Sequence, residues 1–184
     1  MSLREVLTPV LRVLKTLQIP YAVIGGYAVA AWGQIRATRD IDLLCEGSDL
    51  DRLKIALAEA GLRFDHRRGD SEDPISHVIR VEVPVNDGVQ EIDIIAEIRD
   101  APAGIVRRSR RVALEGLDLQ IAAPEDMLLL KVLAGSPLDL EDARSILRAN
   151  RNDLQLKDLQ LNWPPRLLHI LKSLTDEVVG SAGQ

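Results

Sequence analysis

The residues best suited to chemistry in this chain of 184 residues are two acids, Asp40 and Asp42, with a glycine pair, Gly25-Gly26, thirteen residues upstream. The acids lie in an apolar, β-prone stretch, Ile41-Asp42-Leu43-Leu44. Side chains alternate faces along a strand, so the two carboxylates point the same way with Cα atoms roughly 6.6 Å apart. Two acids held like that, with no cation built in beside both, repel each other unless something positive sits between them. A pair of divalent ions about 3.5–4 Å apart suits the gap and runs in-line phosphoryl chemistry. A third acid, Asp93, is flanked by Ile92, Ile94 and Ile95, a costly place for an unpaired charge. If its strand lies beside that of Asp42, three oxygen donors hold two Mg2+ (or Mn2+) ions and leave room for phosphates and water. Glu91 shares the face of Asp93 and is a weaker candidate ligand. The glycines precede a helix, whose free N–H groups and partial positive charge suit a phosphate brought close to the backbone.

These groups have to be positioned by elements that the apolar pattern predicts. Leu3 to Leu17 carries a helical stripe, with Pro9 as its start or a kink. Tyr21–Ile24 reads as a short buried strand, closed by the glycine turn, and Tyr27–Gln34 as a helix. Ile35 to Cys45 is expected to be extended, placing Arg36, Thr38, Asp40 and Asp42 on one face and Arg39 on the other. Ser48 or Asp49 caps a helix to about Ala60, stopped by Gly61. Residues 65–76 read as an exposed loop. His77–Val85 and Val89–Ile95 form a hairpin about Asn86-Asp87-Gly88. Further short strands fill 105–121. From Pro124 the pattern becomes helical, with helices to about Ala134, over 138–150, and again over 154–161 and 165–179. The predicted fold is α/β (α+β): a small mixed sheet flanked by helices, with residues 1–123 as core and 124–184 as a helical region packed on it.

Composition narrows the class. Hydrophobic residues are 46%, charged residues 28%, aromatics 3%, and net charge is −5. A core of Leu, Ile, Val and Ala follows, and an aromatic platform for single-stranded nucleic acid or a broad basic footprint is excluded. Cys45, the single cysteine, reads as a buried structural thiol. No apolar run reaches the length of a membrane span, and the amphipathic N-terminal segment lacks signal-peptide character, so a cytoplasmic protein is expected.

Gly25-Gly26, Asp40-Ile-Asp42-Leu and Ile92-Asp93-Ile94 together resemble the minimal signature of the polymerase-beta-like nucleotidyltransferase superfamily. The resemblance implies that Gly25 and Gly26 bind the triphosphate of an NTP, and that Asp40, Asp42 and Asp93 bind two metals. It also implies that Asp93 helps activate the attacking hydroxyl. Arg36-x-Thr38-x-Asp40-x-Asp42, Pro124-Glu-Asp126 with Lys131, and Asp139-Leu-Glu-Asp142 are similar to the branch containing AbiEii-type toxin nucleotidyltransferases. Leu138 stands where that branch has a lysine.

Plainer roles compete at each position. The acids at 40 and 42 also suit a helix cap or a solvated strand face, and Asp93 an exposed edge strand. Arg36 faces phosphate or pairs with an acid, and Thr38 is a strand-face residue or a site residue. Lys131, on an apolar helix, either snorkels to solvent or reaches a nucleotide phosphate. Asp139 and Asp142 suit a helix N-terminus. Arg107-Arg-Ser-Arg-Arg111 is a solvated segment or a local basic patch for an RNA or nucleotide. His66, His77 and His169 share no ligand spacing. The reading is a metal-dependent nucleotidyltransferase acting on RNA such as tRNA, a protein or a small molecule. A toxin paired with an antitoxin, or a catalytically silent nucleotide-binding module, are the alternatives.

Overall fold

A computed structural model of the chain describes residues 2–35, 37–86, 88–154 and 163–180. Helix α1 (Leu3–Thr16) runs through Pro9 without a break and is capped by Ser2, whose hydroxyl and Glu5 form a reciprocal capping box. Its stripe of Leu3, Val6, Leu7, Val10, Val13 and Leu14 is buried, and it packs on β4 (Ile75–Val85) and α3 (Leu50–Glu59). The remaining strands are β1 (Tyr21–Ile24), β2 (Ile41–Cys45), β3 (Arg63–Arg68), β5 (Gly88–Ile98), β6 (Arg110–Leu114) and β7 (Leu117–Ile121). The other helices are α2 (Gly25–Trp32), α4 (Pro124–Ala134), α5 (Pro137–Asn150) and α6 (Leu168–Gly180).

The seven strands form one mixed sheet in the order β3-β4-β5-β2-β1-β7-β6. β2 runs parallel to β5 and antiparallel to β1, which in turn pairs parallel with β7. Residues paired in register share a face, so the pairings define two faces. One holds Ile41, Leu43, Ile79, Val81, Ile92 and Ile94, all buried. The other begins with the row Arg80, Asp93, Asp42 and continues with Val78, Ile95, Leu44. Polar and apolar thus change places along one face, which leaves the charged row at the end where β2 begins. Buried residues of α4 and α5, among them Met127, Leu128, Val132 and Ile146, belong to the same core as the sheet.

Several expectations are corrected. Residues 65–68 are not loop but part of β3, an edge strand paired with β4. Its polar sequence, RFDHRR, suits a strand with one neighbour and solvent on the other side. Of the stretch expected to be extended, the described residues before Ile41 carry no regular strand; Ile41–Cys45 does. Helix α2 begins at Gly25 itself, so the glycines are its first turn rather than a bend before it. Asp49 stands at the start of α3, but its carboxylate pairs with Arg52 and does not cap. The helix expected over 154–161 falls almost wholly outside the described residues. Cys45 is buried, and burial pushes its thiol up to about 12. No helix among the described residues is long and apolar enough to cross a membrane.

Candidate active site

The register of the sheet assembles the site. Ile24 pairs with Asp42 across β1 and β2, and Asp42 pairs with Asp93 across β2 and β5. The chain leaves β1 immediately after Ile24 and enters α2, so Gly25 lands on the Asp42 side chain. Gly25 has φ +64°, and a Cβ there would lie 2.0 Å from Asp42 Oδ2. Both the left-handed backbone and the close approach require glycine. A Cβ on Gly26 would meet Thr38 Oγ1 at 2.5 Å, which puts Thr38 against the first turn of α2. Contact with α2, not strand alternation, is what places Thr38 here. The backbone N–H of Gln34 donates to Ser145 Oγ (3.2 Å), anchoring on α5 the stretch that leads to Asp40. Arg36 lies outside the described residues.

Gly25→Ala is therefore expected to keep the fold, lose a few degrees of melting temperature, and lose at least tenfold in nucleotide affinity, because Asp42 must move to admit the methyl group. Thermal melting together with titration of a fluorescent NTP analogue checks it.

Asp40, Asp42, Glu91, Asp93 and Arg80 line one cleft of about 260 Å³. Asp42 is half-buried, and its carboxyl is pushed up to about 6, first by burial and then by the charges of Asp93 and Asp40. Lys131 partly offsets this from the far side. Asp42 also borders a second cavity of about 320 Å³, shared with Gly25, Ile95, Met127, Lys131 and Asp139. It therefore stands between a mostly apolar cavity under α4 and an acidic cleft at the sheet end.

The donors suit a hard divalent cation: all are carboxylates, and Asp42 is held in a state that a positive charge would relieve. The described residues contain no group of three His, Cys, Asp or Glu side chains already arranged around one ion. Asp93 is engaged by Arg80, with Nε to Oδ1 and Nη2 to Oδ2 both at 2.8 Å. A cation of the protein's own therefore stands beside the third acid, Asp93, a partner the sequence reading did not assign to it. The signal for it lay in the hairpin. With two residues in the turn, five steps back from Val85 and five on from Gly88 arrive at Arg80 and Asp93, which are cross-strand partners.

Lys131 is nearly buried and bonds Asp139 (2.8 Å) and Asp142 (2.9 Å). The two acids read as helix N-terminal residues; Asp139 does belong to the capping box of α5, with Ser136. Three of the four arginines of the run pair internally. Arg108 grips buried Asp126 through two bonds (3.1 and 2.7 Å), Arg110 pairs with Glu125 and sits 5.9 Å over Trp32, and Arg111 pairs with Asp118. Arg108, just before β6, and Arg110, at its start, thus hold the first turn of α4, while Arg111 pairs across the β6–β7 hairpin. His66 Nε2 and His77 Nδ1 meet at 3.2 Å across β3 and β4, away from the acids.

Comparison with solved structures gives the same fold. The solution structure of the antibiotic-resistance factor ANT(2'')-Ia matches with a TM-score of 0.58 at 16% identity, covering 97% of this chain and 95% of that one. The crystal structure of ANT(2'')-Ia in complex with adenylyl-2''-tobramycin matches with a TM-score of 0.56 at 18% identity, over 85% of this chain and 91% of that one. A nucleotidyltransferase candidate from Thermotoga maritima matches with a TM-score of 0.54 at 17% identity, over 80% and 95%. At such identities the likeness is one of fold. No curated protein sequence matches the chain. The family described as nucleotidyl transferase of unknown function (DUF2204) matches residues 3–163, a span that takes in the glycines, the three acids and Lys131, and the chain belongs to that family.

Proposed function

We propose that the protein moves a nucleoside monophosphate from an NTP to an acceptor hydroxyl, with two Mg2+ or Mn2+ ions held by Asp40, Asp42 and Asp93. The observation that carries this reading is the contact of Gly25 with the Asp42 carboxylate, beside Asp93 in register. It sets a helix start that can receive phosphates against acids that need cations. The bound ions would neutralise the triphosphate and the pyrophosphate that leaves. Gly25 and Gly26 offer backbone N–H groups to the phosphates, with Thr38 beside them, and the motif Arg36-x-Thr38-x-Asp40-x-Asp42 assigns Arg36 to the same nucleotide. Lys131, on the wall of the larger cavity, would meet a nucleotide phosphate by exchanging for it one of the two carboxylates, Asp139 and Asp142, that it bonds. Asp93, on the cleft side, accepts the proton of the attacking hydroxyl. Positioning and preorganised charge do most of the catalysis.

For the acceptor, a small hydroxyl-bearing cation is favoured over a long nucleic acid such as tRNA. The cleft beyond Asp42 is bordered by Asp40, Glu91 and Asp93, and the chain is acidic. Three of the four arginines in the basic run that could have met RNA are engaged in ion pairs. A protein of the same fold is found with adenylyl-2''-tobramycin. The AbiEii-type toxin setting, with an antitoxin partner, draws support from the Lys131–Asp139–Asp142 cluster, which matches the lysine and paired aspartates of that branch.

The test incubates the full chain with labelled NTPs, Mg2+ or Mn2+, and a pool of aminoglycosides, tRNAs and proteins. Label should appear on an aminoglycoside-type acceptor and vanish in Asp40→Ala and Asp42→Ala. Absence of both label transfer and metal-dependent NTP binding overturns the reading.

A further inference from the structure

The acidic cleft contains a cation of the protein's own, placed as a competitor for the site. The Arg80 guanidinium covers both oxygens of Asp93 at 2.8 Å, the bidentate geometry in which arginine binds carboxylates most firmly. A metal ion at Asp93 needs one of those oxygens. The pair is not required to hold the strands, since β5 is an interior strand bonded on both sides, to β4 and β2. A second seat lies beside the first. Glu91, two residues before Asp93 on the same face of β5, holds Oε2 3.6 Å from Arg80 Nε. The side chains of Arg80 and Glu91 are 47% and 57% exposed against 24% for Asp93, so the guanidinium can pivot through solvent from one acid to the other.

We propose that Arg80 is a displaceable counter-cation. It neutralises Asp93 while the site is metal-free and moves onto Glu91 when a divalent ion takes Asp93. The inference rests on the metal centre proposed above. It gives Glu91 a role other than ligand: the acid that receives Arg80. It also predicts that an ion alone loads poorly, because it has to displace a guanidinium before it reaches its third carboxylate. A purely structural Arg80, holding Asp93 in place for the metal, has the opposite consequence, since its removal weakens metal binding.

The sign of the effect on metal affinity therefore decides. Mn2+ is titrated into the full chain without nucleotide by calorimetry, with a melting curve for each variant. Arg80→Met should bind Mn2+ roughly fivefold more tightly than wild type, the size of one exposed bidentate pair. Arg80→Lys, which keeps the charge and loses the fork, should fall between the two. Glu91→Gln should weaken Mn2+ binding in wild type and change nothing in the Arg80→Met background. If wild type binds Mn2+ and Arg80→Met binds it equally or less well, the counter-cation role is overturned and the metal centre stands. If the Glu91→Gln effect persists without Arg80, Glu91 is not the second seat. If neither wild type nor Arg80→Met binds Mn2+ at millimolar concentration, the metal centre is overturned and the proposal with it.

Discussion

Asp42→Asn is expected to abolish nucleotidyl transfer, by on the order of 10³ in kcat/KM, and at the same time to raise the melting temperature of the metal-free protein. The loss follows from removing the carboxylate that faces both the glycine turn and Asp93, where charge stabilisation by metal contributes several kcal/mol to the transition state. The gain in stability follows from the same environment. Burial and the charges of Asp93 and Asp40 push this carboxyl from the ordinary 3.8 up to about 6. A folded-state value above the unfolded one means that the stability present below pH 4 is lost as pH rises through about 6. At pH 7.5 the ionised Asp42 then costs the metal-free protein up to about 3 kcal/mol, less whatever water screens. In a chain of this size, a few degrees of melting temperature per kcal/mol makes the shift measurable. Wild type should also regain the difference on adding Mg2+, and Asp42→Asn should not. Differential scanning calorimetry from pH 4 to 8, with and without Mg2+, checks the whole pattern. A lower melting temperature for Asp42→Asn at pH 7.5 would contradict it. The acid is kept despite its cost to the empty protein, as expected of a binding group.

Lys131→Met should be among the most destabilising single changes in the helical half, by about 3 kcal/mol, because it strips the lysine from two carboxylates in a nearly dry place. Asp142 is 4% exposed and Lys131 bonds both it and Asp139. The Asp139 carboxyl, although burial raises it most, lies below its ordinary value on balance because Lys131 and Ser136 bond it. Its stabilising contribution is therefore present at neutral pH and lost as pH falls through that depressed value. Lys131→Met should remove this acid-side fall, and Asp139→Asn in the Lys131→Met background should recover part of the stability. Urea denaturation of Lys131→Met, Asp139→Asn and the double variant, at pH 7.5 and stepwise below pH 3.8, measures it; additive losses would show that the residues do not act as one cluster. Lys131 also moderates the pKa of Asp42, so its removal should push that carboxyl further up and shift the pH dependence of metal binding to higher pH.

Much of the frame was legible because periodicity and turn chemistry are local. The apolar stripe of α1, the buried β1, the hairpin about Asn86, and the starts of α4 and α5 all come from near neighbours in sequence. The strand at 63–68 was not legible, because an edge strand exposed on one side is polar enough to pass for a loop. Where the described residues of 35–40 sit was not legible for the opposite reason: Gln34 meets Ser145 and Thr38 meets the first turn of α2, partners that are remote in sequence.

The sequence by itself determined the chemical elements of the site: two acids one residue apart, a third in an isoleucine run, and glycines at a helix start. Residue type and short spacing carry that information. Only the tertiary structure decided how those elements are used. Strand order and register set Asp42 between Ile24 and Asp93, pressed Gly25 onto its carboxylate, and brought Arg80 across the hairpin onto Asp93. The same packing turned Arg108 and Arg110 of the basic run into anchors of α4 and Lys131 into the hub of a buried ion cluster. Charges pair with whatever the fold brings within reach, and that distance is written in the sheet rather than in the spacing along the chain.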